Sequence, residues 1–230
     1  MGSDEGTGVK SMGSKVVIFG TGSFAQVVHF YLTNDSPHEV VAFTASESHI
    51  KERELLGLPV VPFETLARDY PPAEFKMFVA VGYKKLNRVR ASVYAEAKEK
   101  GYELVTYVSS KCTYWGEAVG DNCFIFEDNT IQPFVRIGND VVMWSGNHIG
   151  HHSTIGDHCF ITSHVVISGH VSVGPYCFVG VNATTRDSIS IGESCVIGAG
   201  SLIMKSAKDK EVYVAQRTKP DARTSDQINM

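Results

Sequence analysis

A six-residue repeat dominates the second half of the chain and restricts the folds open to it. Apolar residues recur at every sixth position, and only a threonine interrupts the series. A period of six fits neither an α-helix nor an alternating strand. It predicts a parallel β-helix, in which three hexads form one coil of about 18 residues. The residues of this column are Val119, Ile125, Ile131, Ile137, Met143, Ile149, Ile155, Ile161, Ile167, Val173, Val179, Thr185, Ile191, Ile197 and Ile203.

Four of the five cysteines share a second position in the repeat, two residues before the column. They are Cys123, Cys159, Cys177 and Cys195, and Val141 fills the gap in their series. Because they are 36, 18 and 18 residues apart, they are predicted to lie in one internal column on successive coils. We interpret them as buried thiols that pack in the core, rather than as metal ligands or a redox pair.

The region before the repeat alternates short apolar runs with helical patterns. This alternation predicts a small parallel α/β unit. Strands are expected over 15–19, 39–43, 76–82 and 103–108, and helices over 26–32, 62–69 and 85–100. The predicted domains are a disordered leader (1–13), an α/β domain (14–109), a β-helix domain (110–206) and a C-terminal tail (207–230) with a last strand over 211–216.

Composition excludes several classes of function. The net charge of −4 argues against a general nucleic-acid or anionic-membrane binder, which needs a basic surplus. No apolar run reaches the roughly 18 residues of a membrane span. Five cysteines without a CxxC spacing indicate neither a disulfide framework nor a zinc ribbon. We therefore expect a cytoplasmic protein with no membrane span and no nucleic-acid partner.

The segment GTGSFA (20–25) follows the first predicted strand and opens a helix. Glycines at such a turn permit the close approach of a diphosphate, which the N-terminus of the helix attracts. A dinucleotide site also needs an acidic residue near the end of the second strand, where Phe43, Thr44 and Ala45 stand instead. An NAD site is therefore disfavoured, and a packing turn without a ligand remains an alternative.

Six of the nine histidines lie between residues 148 and 170. Four of them occupy one position of the hexad, three residues after the column, which is expected to face outward. These four are His152, His158, His164 and His170. Only His152 and His170 are 18 residues apart, so they alone are expected to stack on adjacent coils.

A βαβ unit that opens with GTGSFA, followed by a hexapeptide tract that contains HIGHHSTIGDHCF, resembles the bacterial sugar acyltransferases of the PglD/NeuD type. The resemblance covers residues 15–205. It implies a Rossmann-like, nucleotide-sugar-binding domain followed by a left-handed parallel β-helix, assembled as a homotrimer. It also implies direct transfer of an acetyl group from acetyl-CoA to the amino group of a nucleotide-linked amino-deoxysugar, with no metal. A sugar hydroxyl is the alternative acceptor.

The same resemblance assigns roles to individual residues. His151 is the expected general base, a task suited to a neutral imidazole near pH 7, and the N–H of Gly169 is expected to face the thioester carbonyl. Residues expected to bind the nucleotide sugar are Gly20, Gly22, Ser23, Thr44, Gly82, Tyr83 and Arg88, with Asn147 and His164 lining the site. Residues expected to bind CoA are Gly169, Gly198, Ala199 and Lys205.

Two other functions remain open from the sequence. The γ-class carbonic anhydrases also use a left-handed β-helix, and a His152/His170 pair with a histidine from a neighbouring subunit could hold their zinc. Those enzymes do not carry the N-terminal βαβ unit, which disfavours this alternative. The second alternative is a β-helix scaffold that binds ligands without catalysis.

Overall fold

The computed structural model describes residues 13–216 and 218–228. Apart from Gly13, the predicted disordered leader lies outside the described residues.

The N-terminal domain is a five-stranded sheet with one helix on each face. Strand order is β3-β4-β2-β1-β5, and only β3 runs antiparallel to its neighbour. Helix α1 packs on the face that carries Val16 and Ile18, and α2 on the face that carries Val17 and Phe19. The elements are β1 (Lys15–Phe19), α1 (Ser23–Asn34), β2 (Glu39–Ala45), β3 (Glu54–Leu55), β4 (Leu58–Pro62), β5 (Lys76–Val79) and α2 (Arg88–Glu99), with 3₁₀ turns at Glu47–His49 and Leu66–Arg68. Neither helix has the length and apolar run that crossing a bilayer takes.

Two predictions about this domain were wrong. The helix expected over 62–69 is only the 3₁₀ turn Leu66–Arg68, because a segment this short gains too few hydrogen bonds to propagate a helix. The strand expected over 103–108 does not join the α/β sheet beyond a single bridge at Leu104. Its last two residues instead pair with Phe124–Ile125 and begin the β-helix.

The C-terminal domain is a three-sided parallel β-helix of two-residue strands. Each strand pairs in parallel with strands of adjacent coils, as Ile131 pairs with Ile149 and Ile149 with Ile167. The three sheets run β6-β9-β12-β15-β18-β21-β23, β7-β10-β13-β16-β19-β22 and β8-β11-β14-β17-β20. The strands are β6 Tyr107–Val108, β7 Thr113–Tyr114, β8 Ala118–Val119, β9 Phe124–Ile125, β10 Thr130–Ile131, β11 Arg136–Ile137, β12 Val142–Met143, β13 His148–Ile149, β14 Thr154–Ile155, β15 Phe160–Ile161, β16 Val166–Ile167, β17 Ser172–Val173, β18 Phe178–Val179, β19 Thr184–Thr185, β20 Ser190–Ile191, β21 Val196–Ile197, β22 Leu202–Ile203 and β23 Val212–Tyr213. A last 3₁₀ turn spans Ser225–Gln227.

The interior of the β-helix contains the two columns that the sequence predicted. Residues from Ile125 to Ile203 in the apolar column are buried, including Thr185. The four cysteines predicted to be internal have no exposed surface, and the Cys123 and Cys159 thiols donate to the carbonyls of Gly138 (3.0 Å) and Gly174 (3.2 Å). Burial raises the pKa of Cys123 to about 12, so its thiol stays protonated. The predicted burial of these four thiols in the core is confirmed.

The corners of the β-helix have a backbone geometry that the sequence pattern did not reveal. Every sixth residue from 122 to 200 turns the chain with a positive φ. Two of these residues are glycines, and the others include asparagine, aspartate and histidine, which enter this region more easily than most residues. The non-glycine residues are Asn122, Asp128, Phe134, Asp140, His152, His158, His164, His170, Tyr176, Asn182, Ser188 and Ser194. The regular spacing of the histidines is therefore a property of the corners.

The N-terminal domain covers one of the three sheets. Phe124, on β9, contacts the ring of Phe78 at a centroid distance of 5.4 Å, and Tyr83 packs against Phe160 and Phe178, two and three coils further along. The outward residues of the other two sheets are exposed or half-buried, and Leu202 has 64% of its surface accessible. The β-helix thus has two uncovered faces.

Candidate active site

Three histidines meet on one corner of the β-helix. His151 and His152 lie in the turn between β13 and β14, and His170 lies one coil further along, between β16 and β17. Nδ1 of His151 is 3.1 Å from Nδ1 of His152. The rings of His152 and His170 are stacked, with centroids 4.8 Å apart and planes inclined by 13°. The predicted stacking of His152 on His170 is confirmed, and His151 joins the pair from the same turn.

The surrounding residues hold this cluster in place. The backbone N–H of His151 donates to Oε1 of Gln132 (2.9 Å), and its ring stands at 88° to that of His170. Phe134 lies on the other side of His152, with its centroid 4.6 Å from the imidazole. One corner thus carries an aromatic stack of Phe134, His152 and His170, and the His151 ring meets the stack edge-on.

Gly169 lies directly beside the His151 imidazole. A Cβ atom at this glycine would be 3.0 Å from both Cε1 and Nε2 of His151, so a side chain here would crowd the ring. The Gly169 carbonyl accepts a hydrogen bond from the Ser188 N–H (3.0 Å). Its own N–H has no acceptor among the residues that the structure describes. A proton acceptor and a free N–H donor are therefore adjacent at this corner.

A second site lies in the N-terminal domain, at the glycine loop between β1 and α1. Gly20 has a φ of +122°, and a Cβ there would be 2.7 Å from the Ala80 carbonyl, so the turn requires glycine. Gly22 precedes the first turn of α1 and faces open space. A cavity of about 410 Å³ opens here, lined by Thr21, Gly22, Gln26, His49, Lys51, Glu52, Glu54, Leu55 and Val60.

The two sites offer different chemistry. The free N–H groups of the first turn of α1 favour an anion. Among the side chains of the cavity, Lys51 adds positive charge, and Glu52 and Glu54 add negative charge. The histidine corner offers proton transfer. Its three imidazoles could also bind a metal ion, since one ring nitrogen from each lies within 4.8 Å of the others.

Comparison with known families accounts for both domains. The PglD N-terminal domain family matches residues 15–97, and the hexapeptide repeat of succinyl-transferase matches residues 170–205. The chain is an acyltransferase that resembles the PglD type in both domains. A search of curated proteins found no significant match to the enzyme.

Solved structures share the fold over nearly the whole acyltransferase. PerB from Caulobacter crescentus, in complex with CoA and GDP-perosamine, is 25% identical with a TM-score of 0.74, covering 88% of this chain and 94% of that one. The acetyltransferase domain of PglB from Neisseria gonorrhoeae is 20% identical with a TM-score of 0.75, covering 86% and 95%. WeeI from Acinetobacter baumannii is 16% identical with a TM-score of 0.73, covering 86% and 96%. The predicted fold class, a Rossmann-like domain followed by a left-handed parallel β-helix, is confirmed.

Two predicted substrate-binding residues have structural roles in the acyltransferase. Thr44 is fully buried and donates its hydroxyl to the Val61 carbonyl (2.8 Å), so its side chain does not reach the cavity. Asn147 is also buried. Its side chain accepts from the Val165 N–H (2.7 Å) and donates to the Trp144 carbonyl, which links successive coils. Both residues satisfy backbone groups, and the expectation that their side chains contact substrate is corrected.

Arg88 and Tyr83 lie at the interface between the domains. The Arg88 guanidinium donates to Oγ of Ser194 (3.0 Å) and stacks over the Tyr176 ring at 4.4 Å. This arginine therefore engages the β-helix rather than a phosphate in the glycine-loop cavity. Gly82 precedes Tyr83, and its carbonyl accepts from the buried Arg90 (3.4 Å).

His164 lies on another corner from His152 and His170. It is exposed, and its ring covers Gly146, where a Cβ would approach to 2.6 Å. Within one chain it does not meet His151, and its expected contact with substrate stays a prediction.

The predicted CoA-binding residues near the end of the β-helix are accessible. Ala199 and Lys205 are exposed, and the Gly198 N–H donates to the Tyr213 carbonyl (2.7 Å). A groove of about 300 Å³ begins at the residue after Ala199 and is lined by Gly200, Ser201, Leu202, Ile203, Tyr213, Val214, Ala215 and Gln216.

The sequence predictions missed the charged wall of the glycine-loop cavity. His49, Lys51 and Glu52 belong to a polar stretch shortly after β2. Examining only the residues at the end of β2 overlooked this stretch, although its run of charges was visible.

Proposed function

We propose that the acyltransferase moves an acetyl group from acetyl-CoA directly to the amino group of a nucleotide-linked amino-deoxysugar, with His151 as the general base. The observation that carries this assignment is the position of the His151 imidazole beside the free N–H of Gly169. The similarity to PerB, whose structure holds CoA and GDP-perosamine, supports the choice of donor and acceptor class.

In the proposed step the acceptor nitrogen attacks the thioester carbonyl, a C–N bond forms and the C–S bond breaks. Nε2 of His151 takes the proton that the nitrogen loses and passes it to the departing sulfur, so that CoA leaves as its thiol. The short Nδ1–Nδ1 contact requires one of the two histidines to donate, and a proton on Nδ1 of His151 leaves its Nε2 free to accept. The Gly169 N–H stabilises the developing oxyanion, an effect worth about 3–4 kcal/mol in other enzymes.

We place the nucleotide diphosphate of the substrate in the glycine-loop cavity. Gly20, Gly22 and Ser23 form the turn and the start of α1, where backbone N–H groups and the helix dipole favour phosphate. Lys51 adds a cation to the same cavity.

We also propose a homotrimer, located in the cytoplasm, with each active site between two subunits. The uncovered faces of the β-helix support this arrangement, since Val166 and Leu202 expose apolar surface on the same sheet. CoA would lie in the groove between neighbouring β-helices, close to Gly169, Gly198, Ala199 and Lys205.

A thiol-release assay tests the function. Nucleotide-linked amino sugars that raise the melting temperature in the presence of acetyl-CoA are selected first, and CoA release and product mass are then measured. We expect an acetylated product that hydroxylamine does not cleave, because the new bond is an amide. A product that hydroxylamine cleaves would be an ester, and would show that the acceptor is a hydroxyl group rather than an amine. No stabilisation by acetyl-CoA and no CoA release would contradict the proposed reaction and favour a binding scaffold.

A further inference from the structure

We propose that His151, His152 and His170 together form a binding site for a zinc-class divalent cation, and that the bound cation blocks acyl transfer. The binding site rests on the geometry of one corner alone. The blocking effect also rests on the proposed function, since it assumes that His151 is the base. The cation is an inhibitor in this account and takes no part in catalysis.

The three side chains provide the ligand set that such a cation prefers. One ring nitrogen from each lies within 4.8 Å of the other two, and the His151 and His152 Nδ1 atoms are already 3.1 Å apart. A tetrahedral ion with Zn–N bonds of about 2.0–2.1 Å places its ligand atoms about 3.3 Å from one another. The His151–His152 pair meets this spacing, and bringing all three ligand atoms to it takes a closure of at most about 1.5 Å.

The surroundings permit that movement while keeping the cluster together. All three histidines are exposed, so their rings can rotate without displacing core residues. The backbone positions are fixed, because His151 is held by Gln132 and the His170 N–H donates to the His151 carbonyl (2.9 Å). Phe134 limits the swing of His152 from the opposite side.

The donor set also selects the metal. Three imidazoles without a carboxylate favour Zn²⁺, Ni²⁺ or Cu²⁺ over Mg²⁺ and Ca²⁺, which prefer oxygen ligands. Three protein ligands leave a fourth position to water. Coordination through Nδ1 would leave the ring proton of His151 on Nε2, so that Nε2 could no longer accept a proton from the acceptor.

The test measures Zn²⁺ binding to the full chain, free of any affinity tag, by titration calorimetry and by elemental analysis after dialysis. His170→Ala removes one ligand. His148→Ala is the matched control, since it removes a histidine on the adjacent strand that lies outside the cluster. We expect about one Zn²⁺ per wild-type chain, a loss of affinity of about tenfold or more in His170→Ala, and no change in His148→Ala.

The same proteins are then assayed for CoA release with added Zn²⁺, with a chelator as the reversing agent. We expect Zn²⁺ to inhibit the wild type and the His148 variant, and His170→Ala to need about tenfold more Zn²⁺ for the same inhibition. Equal binding by His170→Ala and wild type, or no binding by wild type, would overturn the site. Binding that depends on His170 but leaves CoA release unaffected would support the site, overturn the block and count against His151 as the base.

Discussion

Arg90 and Asp140 form an ion pair with no exposed surface on either side chain, and it joins the two domains. Nε of Arg90 is 3.0 Å from Oδ1 of Asp140. The rest of the guanidinium donates to the carbonyls of Asp140, His158 and Cys159, on two successive coils. The carboxylate also meets Nδ1 of His158 (2.7 Å) and Nδ2 of Asn122 (2.7 Å). A residue of α2 thus satisfies buried polar groups of the β-helix.

Removing this arginine should be strongly destabilising. Arg90→Ala leaves the Asp140 carboxylate buried without its partner, and we expect a loss of about 3–5 kcal/mol in the free energy of unfolding. Arg136→Ala is the control, because its pair with Glu117 is largely exposed, and its stability should stay close to that of the wild type. Urea denaturation of both variants measures the difference. Similar midpoints for the two would contradict the role of Arg90.

The left-handed corners predict how stability depends on residue type. Asn182 has a φ of +58°, is exposed and makes no side-chain hydrogen bond with the described residues. Asn182→Val puts a β-branched residue into this conformation and should cost about 1–2 kcal/mol. Asn182→Gly should stay within about 0.5 kcal/mol of the wild type, because glycine adopts a positive φ freely. Chemical denaturation tests both, and a valine variant as stable as the glycine variant would show that the corner is not strained.

Because the thiols of the β-helix core are buried, we expect them to react slowly with alkylating reagents and the protein to lose stability at alkaline pH. Burial raises the pKa of Cys123 to about 12 and that of Cys112 to about 11. The folded state therefore holds these protons more tightly than the unfolded state, whose thiols ionise near pH 9. The contribution of these protonated thiols to the free energy of unfolding is full below about pH 9 and declines as the pH rises towards 11–12. We expect little alkylation of the native protein at pH 8 and complete alkylation in denaturant. Rapid labelling of Cys123 in the native state would contradict this.

The positive charge of Lys51 in the glycine-loop cavity is predicted to strengthen binding of the nucleotide sugar. Lys51→Ala should raise the KM for this substrate by about tenfold and leave kcat within a few-fold, since the charge acts on the diphosphate far from the reacting atoms. Lys98→Ala, which removes a lysine paired with Asp121, is the control and should leave both constants unchanged. An unchanged KM in Lys51→Ala would place the diphosphate elsewhere.

The hexad pattern predicted most of the β-helix because each position of the hexad has the same environment on every coil. Column residues such as Ile149 face a narrow core, and the cysteines two positions earlier fill the same interior, so periodicity alone identified them. The left-handed backbone of the corners escaped prediction, since a turn of this kind at His152 or Tyr176 has no hydrophobic signature. The helix over 62–69 failed because a short apolar pattern does not decide between a helix and a turn after a strand.

The parts of the candidate site that are formed by residues close together in the sequence could be predicted. The family resemblance singled out His151 and Gly169, and the segment GTGSFA singled out the glycine loop; their roles stay predictions. Thr44 and Asn147 were misassigned because their neighbours in space, Val61 and Val165, are 17 and 18 residues away along the chain. The packing of Arg88 on Tyr176 depends on how the two domains contact each other, and a local sequence pattern does not predict that contact.

The role of His151 is tested most directly by the rate of CoA release in His151→Asn, with saturating acetyl-CoA and nucleotide-sugar acceptor. Asparagine keeps a polar side chain of similar reach but cannot take up the proton. We predict that kcat falls by about 10²–10⁴-fold. The melting temperature and the affinity for acetyl-CoA should stay near wild type, and His148→Asn should keep full activity. A kcat within about threefold of the wild type would contradict general-base catalysis by His151.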